Sequence, residues 1–110
     1  MSFNRKRRLK HPEIPFTEQQ GKGTVVRSRT GRNRGKVFLV TDFFTKDEKL
    51  YAYIVDGEKR TVQSPKLKSA SHLETVAVCS DLVKEKIADK TLKNEDVKKL
   101  IVETVNFWRD

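Results

Sequence analysis

This sequence holds little that would cross a bilayer, staple a fold or carry out chemistry. Hydrophobic residues make up 35% of its 110 positions, and no run approaches the roughly 18 apolar residues of a spanning helix. The single cysteine, Cys79, cannot form an internal disulfide, which fits a reducing compartment. Nothing near it in sequence supplies a base, so it reads as a small apolar residue at a strand end rather than a nucleophile. His11 and His72 have no metal-ligand spacing. Asp42, Asp47, Asp56 and Glu58 offer no catalytic pair, and no Gly-rich phosphate loop ending in Lys-Ser/Thr occurs. No catalytic residue, metal site, cofactor or small-molecule substrate is therefore expected. The first ten residues include five Lys/Arg, yet no apolar segment of the secretory kind follows, and Pro12 and Pro15 interrupt any amphipathic transit helix. The expectation is a soluble cytoplasmic protein with no membrane partner.

Acids are outnumbered: Asp and Glu total 15 against 24 Lys and Arg, a formal net charge of +9. Such a balance favours polyanionic partners. The excess lies in the first 80 residues, because residues 81–110 carry seven bases and seven acids. The length allows one domain with a modest core and short appendages. Residues 1–20 show no strand or helix period and contain a basic cluster at Arg5, Lys6, Arg7 and Arg8. They read as a disordered basic arm that orders on a partner.

Residues 21–79 have a β pattern. A strand begins at Gly23–Val26, a longer one rich in β-formers spans Lys36–Phe44, and a third spans Leu50–Val55. The polar Thr45–Lys49 segment joins the second and third as a hairpin loop. Asp56-Gly57 signals a tight turn, across which Lys59–Val62 is expected to pair back until Pro65 ends the strand. His72–Val78 is the fifth. Five short strands with tight turns predict a mainly β protein, a small five-stranded barrel rather than a sandwich. Residues 80–110 turn helical. Ser80 and Asp81 are candidate caps for a helix carrying Leu82, Val83 and Ile87. Asn94 is the candidate cap of a second, whose Val97, Leu100, Ile101, Val105 and Trp108 form one apolar stripe. That stripe favours packing against the barrel over base stacking for Trp108.

The most informative segment is Gly23–Val37. Between Lys22 and Lys36 there are six bases (Lys22, Arg27, Arg29, Arg32, Arg34, Lys36) and no acid. Gly31 and Gly35 can adopt positive φ and let the loop backbone approach a partner closely. Arg29, Arg32 and Arg34, with Asn33 among them, sit where planar guanidinium groups can fork onto phosphates or stack on splayed bases. A second basic run, Lys59, Arg60, Lys66 and Lys68, meets no acid before Glu74 and is expected beside the first in a small barrel.

Gly23, Val25, Gly31 and the Gly35-Lys36 pair make this segment resemble the KOW motif, a strand–loop–strand unit of ribosomal proteins and transcription elongation factors. The likeness continues through Tyr53–Gly57 and the basic Pro65–Leu73. Over about residues 21 to 76 the chain is similar to bacterial KOW proteins related to the fourteen-e family of large-subunit ribosomal proteins. That resemblance implies an SH3-like barrel, ribosomal RNA as partner and a ribosome-associated ribonucleoprotein role in translation, with no self-association required. The rival expectation is a KOW-type protein-interaction module that docks on a transcription or translation factor through the balanced helices. Phe38, Phe43, Phe44, Tyr51 and Tyr53 invite a reading as stacking platforms or an aromatic cage. Core packing and cross-strand pairing are the readings favoured for them.

Overall fold

The computed structural model describes residues 14–78 and 81–109. The basic cluster Arg5–Arg8, His11, Pro12, Cys79, the Ser80 cap and the side chain of Trp108 lie outside what is described. The chain is mainly β: β1 (Thr24–Ser28), β2 (Val37–Lys46), β3 (Lys49–Val55), β4 (Lys66–Ser69) and β5 (Leu73–Val78) form one antiparallel sheet in the order β4-β3-β2-β1-β5. A 3-10 turn, Ala70–His72, links β4 to β5, and two helices follow, α1 (Asp81–Asp89) and α2 (Asn94–Arg109).

Both faces of the sheet are covered, which explains why Val25-Val26 and Phe38–Val40 are unbroken apolar runs. One face carries Val26, Phe38, Val40, Ala52, Ile54 and Leu73; the other carries Val25, Leu39 and Val55 against Leu92 and Val97 of the helical segment. The first face is closed by Phe16, only 3% exposed. Pro15 bridges to Glu74, Phe16 N–H donates to the Leu73 carbonyl, and Gln20 Oε1 accepts from Thr75 Oγ1 at 2.6 Å. Residues 14–20 therefore belong to the sheet domain rather than to a disordered arm ending at residue 20. One buried side chain in a short strap leaves no period to read. Truncating Phe16 to Ala should cost about 3–5 kcal/mol.

Two turns differ from expectation. β2 and β3 run further toward each other than the Thr45–Lys49 loop allowed, leaving only Asp47 and Glu48 between them at φ 52° and 66°. Both central residues are left-handed, the requirement of a type I′ hairpin, met here without glycine. The Asp56-Gly57 turn forms, with Asp56 Oδ1 accepting from Glu58 and Arg60 N–H, but Lys59–Val62 is not a strand. Val62 instead joins the helical side of the core, and its N–H donates to Asn94 Oδ1 at 2.8 Å. The fourth strand is Lys66–Ser69, so Pro65 precedes the strand instead of ending it.

Asn94, spent on that loop, does not cap α2 through its side chain. Lys93 does the capping: its carbonyl accepts from Val97 N–H, and Asp96 Oδ2 reaches back to its N–H at 3.0 Å, half of a capping box. α1 ends in a Schellman arrangement, with Lys90 at φ 62° and Thr91 N–H donating to the Lys86 carbonyl. Lys86 and Asp96, 3.6 Å apart, link the two helices. No helix among the described residues is long and apolar enough to cross a membrane.

Candidate nucleic-acid interface

The basic residues singled out in the sequence divide among three places. The first is the β1–β2 loop. Its base is closed by Ser28 N–H to the Lys36 carbonyl (2.9 Å) and Gly35 N–H to the Ser28 carbonyl (2.7 Å). Within it, Arg34 N–H donates to the Gly31 carbonyl and Lys36 N–H to the Asn33 carbonyl, at 3.1 and 2.8 Å. These tight turns need Gly31 and Gly35 at φ 75° and 88°, values that an L side chain resists. Arg29 N–H donates to the His72 carbonyl at 2.8 Å, fastening the loop to the 3-10 turn. Arg29, Arg32, Arg34 and Lys36 are exposed, and Asn33 is half-buried.

Lys68 reaches this loop from β4. Its Nζ donates to Ser28 Oγ at 2.8 Å and to the Thr30 carbonyl at 3.3 Å, while Ser28 Oγ itself donates to Thr30. Burial holds the Lys68 ammonium below the ordinary lysine range, and the neighbouring Lys66 adds to the shift. Lys68 thus acts as a clamp under the loop, and its donors are turned inward. Lys66, half-buried, stands on the same strand opposite Ile54.

Arg27 is committed in a different way. It sits opposite Glu74 on β5, and its Nε and Nη2 both donate to Glu74 Oε1, at 3.0 and 2.7 Å. The Glu74 side chain is 7% exposed, so this is a largely desolvated carboxylate answered by an arginine. A cleft of about 300 Å³ opens beside the pair, lined by Arg27, Ser28, Arg29, Arg34, Gly35 and Glu74. Three guanidinium groups at one cleft suit an oxyanion, and Glu74 lowers the local positive charge by one.

Lys59 and Arg60 are the third place. They lie in the Asp56–Pro65 loop, tied to the start of α2 through Val62 and through Asn94 Nδ2 to Gln63 Oε1 at 3.2 Å. No hydrogen bond or ion pair joins them to the β1–β2 loop among the described residues. Of the second basic run, Lys68 meets the β1–β2 loop by direct hydrogen bonds.

Ser28, Thr30 and Glu74 shape the site and were not legible as parts of it. Glu74 is 47 residues from Arg27 in sequence, and only strand pairing makes them neighbours. Among the described residues no group of three His, Cys, Asp or Glu could hold a metal ion. An arrangement of this kind can meet an anion by charge and hydrogen bonding. Compared with protein-family models and with curated proteins, the sequence matches none.

Proposed function

We propose that this chain is a non-catalytic RNA-binding protein, ribosome-associated through large-subunit ribosomal RNA, with the β1–β2 loop as its contact. The observation that carries the reading is the loop itself. Arg29, Arg32, Arg34 and Lys36 are exposed on a backbone held by glycines, ladder hydrogen bonds and a half-buried lysine clamp. Cations fixed on a rigid turn lose less entropy on meeting phosphates than cations on a mobile one. The resemblance to KOW proteins of the fourteen-e kind points the same way, and the basic cluster at Arg5–Arg8 would add phosphate contacts.

The same reading takes the sheet to be a KOW-type SH3-like barrel. Its two edge strands, β4 and β5, are joined through Ala70–His72, so Ser69 and Leu73 stand roughly 14 Å apart at most. The edges of a flat five-stranded sheet lie roughly 19 Å apart. Curling of the sheet would remove the difference, and the register breaks between Val40 and Asp42 and between Val25 and Val26 are bends of the kind that roll sheets.

Salt titration of RNA binding tests the reading. With four to six phosphates neutralised, log affinity should fall against log salt with a slope of roughly −3 to −5; a slope near zero removes its basis. A second reading, docking on a protein factor through the helices, is favoured by exposed Leu82 and Val102, 61% and 56% accessible. Co-sedimentation with ribosomes that survives mild RNA digestion would select it.

A further inference from the structure

The aromatic residues of the sheet fall into two groups. Phe38 is buried, and Phe16 and Phe43 pack edge to face on the same side of the sheet. Phe44, Tyr51 and Tyr53 belong to neither apolar cluster and remain partly exposed. Phe44 stacks on Tyr51 with centroids 5.4 Å apart and leans on Tyr53 at 5.9 Å.

Alternation from Val55 places Tyr53 and Tyr51, and with them Phe44, on the face that the helices cover further along, and Tyr53 reaches the cleft beside them. Asp42 faces Tyr53 and Tyr53 faces Leu67; Phe44 faces Tyr51 and Tyr51 faces Ser69; Lys46 faces Lys49. Leu67 extends the apolar area at 45% exposure. Cross-strand stabilisation of a hairpin needs only the Phe44–Tyr51 pair, which leaves Tyr53 and Leu67 unexplained. At the foot of the face a cleft of about 570 Å³ opens between sheet and helices, with Tyr53, Lys22, Asp42, Val62 and Lys90 in its lining. That volume suits a small organic group with its apolar flank on the ring.

Charge identifies the occupant. Lys46 and Lys49 stand directly opposite each other at the hairpin end, a like-charge pair that is unfavourable in isolation. Neither has an ion-pair partner among the described residues. Lys22 and Lys90 flank the other end, Lys22 already sharing Asp42 at 3.5 Å. An aromatic strip with ammonium groups at both ends fits a chain of planar rings linked by anions. A second copy of this protein would set lysines against lysines there. We infer that the outer face of β2–β3–β4 is a second RNA contact, stacking unpaired bases on Phe44, Tyr51 and Tyr53 with flanking phosphates at Lys46, Lys49, Lys22 and Lys90. The inference rests on the RNA reading above and adds to it the class of RNA: single-stranded segments, distinct from the phosphates met by the β1–β2 loop.

The test uses the full chain and a 5-iodouridine-substituted unpaired RNA of about 12 nucleotides, long enough to cover an OB-fold-sized site. Photocrosslinks should land on Phe44, Tyr51 or Tyr53 and be competed by unlabelled single strand far better than by duplex. The variant Phe44→Leu/Tyr51→Leu/Tyr53→Leu should bind the single strand at least about tenfold more weakly, since each stacked base contributes that order of affinity, and the duplex within about twofold. Lys46→Gln/Lys49→Gln, which leaves the rings in place, should flatten the salt slope by about one to two. Crosslinks confined to other segments, equal losses for both RNAs, or a dimer abolished by the aromatic variant would each overturn the inference while leaving loop-mediated binding intact. Failure of the unaltered chain to bind either RNA would overturn the RNA reading as well.

Discussion

Two loops that both carry lysine and arginine are built differently in this protein: residues 29–36 hold four bases and no acid, and Asp56–Pro65 holds two of each. The β1–β2 loop points its arginines outward and is held from beneath, by Lys68, Ser28 and the backbone of His72. The Asp56–Pro65 loop spends its backbone and its glycine on the helices: Val62 N–H goes to Asn94, and Gly57 lies against α2. Charge already sets these loops apart, four bases without an acid against two bases with two acids. Where their backbone hydrogen bonds go separates them further. The first loop closes on itself and on the sheet with its arginines exposed, while the second is a bracket between sheet and helix.

The most damaging way to challenge that contrast is to remove charge from each loop in turn. Arg29→Gln/Arg32→Gln/Arg34→Gln should lower RNA affinity by one to three orders of magnitude, at roughly 0.5–1.5 kcal/mol per charge-assisted contact. Folding stability should move by no more than about 0.5 kcal/mol per site. Lys59→Gln/Arg60→Gln, and a matched Lys93→Gln/Lys98→Gln/Lys99→Gln at the start of α2, should cost far less, because a charge outside the contact acts only through solvent that screens it within about 8–10 Å. Equal losses from all three would mean that net charge alone drives binding.

Glycine substitution should invert the ranking. Gly35 and Gly57 have nearly the same φ, 88° and 85°, but a Cβ on Gly35 meets nothing within 4 Å, whereas one on Gly57 meets Asn94 O at 2.6 Å and Lys98 Cγ at 2.7 Å. Both substitutions to Ala incur about 1–2 kcal/mol for a left-handed L residue. Gly57→Ala adds about 1–3 kcal/mol of overpacking. Chemical denaturation should therefore show the larger loss at Gly57, with RNA affinity of the folded protein unchanged. Comparable stabilities would mean that the bracket is looser than it looks.

A smaller effect is expected where fold and cleft meet in one residue. Arg27 lines the cleft with Arg29 and Arg34 but is held by Glu74. Glu74→Gln should destabilise the fold by about 1 kcal/mol, since Arg27 remains half-exposed and can hydrate. It should also raise RNA affinity a few-fold by removing the one carboxylate of the cleft. Lower affinity would place Glu74 in the role of positioning Arg27 for the partner.

The strands with β-branched or aromatic residues on both faces were legible from composition and spacing, and β1, β2, β3 and β5 fall within a few residues of expectation. Lys66–Ser69 was not, because a short polar strand following a proline looks like a loop until its partner β3 is known. Asp47-Glu48 gave no glycine signal for its tight hairpin, and Phe16 gave no period. At the site, the glycines and arginines of the β1–β2 loop could be read directly, being consecutive. Lys68 as clamp and Glu74 as the keeper of Arg27 could not, since both roles depend on contacts across 38 residues or more. The division of the aromatics was equally hidden: alternation assigns faces, but only the position of the helices decides which part of a face stays open.

The subtlest distinction between the two loops is in their response to pH, because each is served by one titrating group at an opposite end of the scale. Asp96 holds the start of α2, where the Asp56–Pro65 loop docks. The hydrogen bond from Lys93 N–H, with lesser help from Lys86 and despite some opposing desolvation, depresses its carboxyl below the ordinary range. A depressed acid contributes stability that is present above its unfolded value, about pH 4, and is lost as pH falls through the lower folded value. The stability gap between the native chain and Asp96→Asn should thus be constant from about pH 7 to pH 5 and narrow below about pH 4. Lys68 behaves in the reverse sense at the alkaline end. Its folded value is lowered by burial, so the unfolded chain binds more protons, and its contribution improves as pH rises through the folded value toward the ordinary lysine range near 10.4. Relative to Lys68→Gln, the native chain should gain stability across that window and not below it. Denaturant melts of the three proteins between pH 3 and pH 10 would resolve both limbs. A Lys68→Gln difference independent of pH would mean that its ammonium is solvated, and that the β1–β2 loop owes its rigidity to its backbone bonds alone.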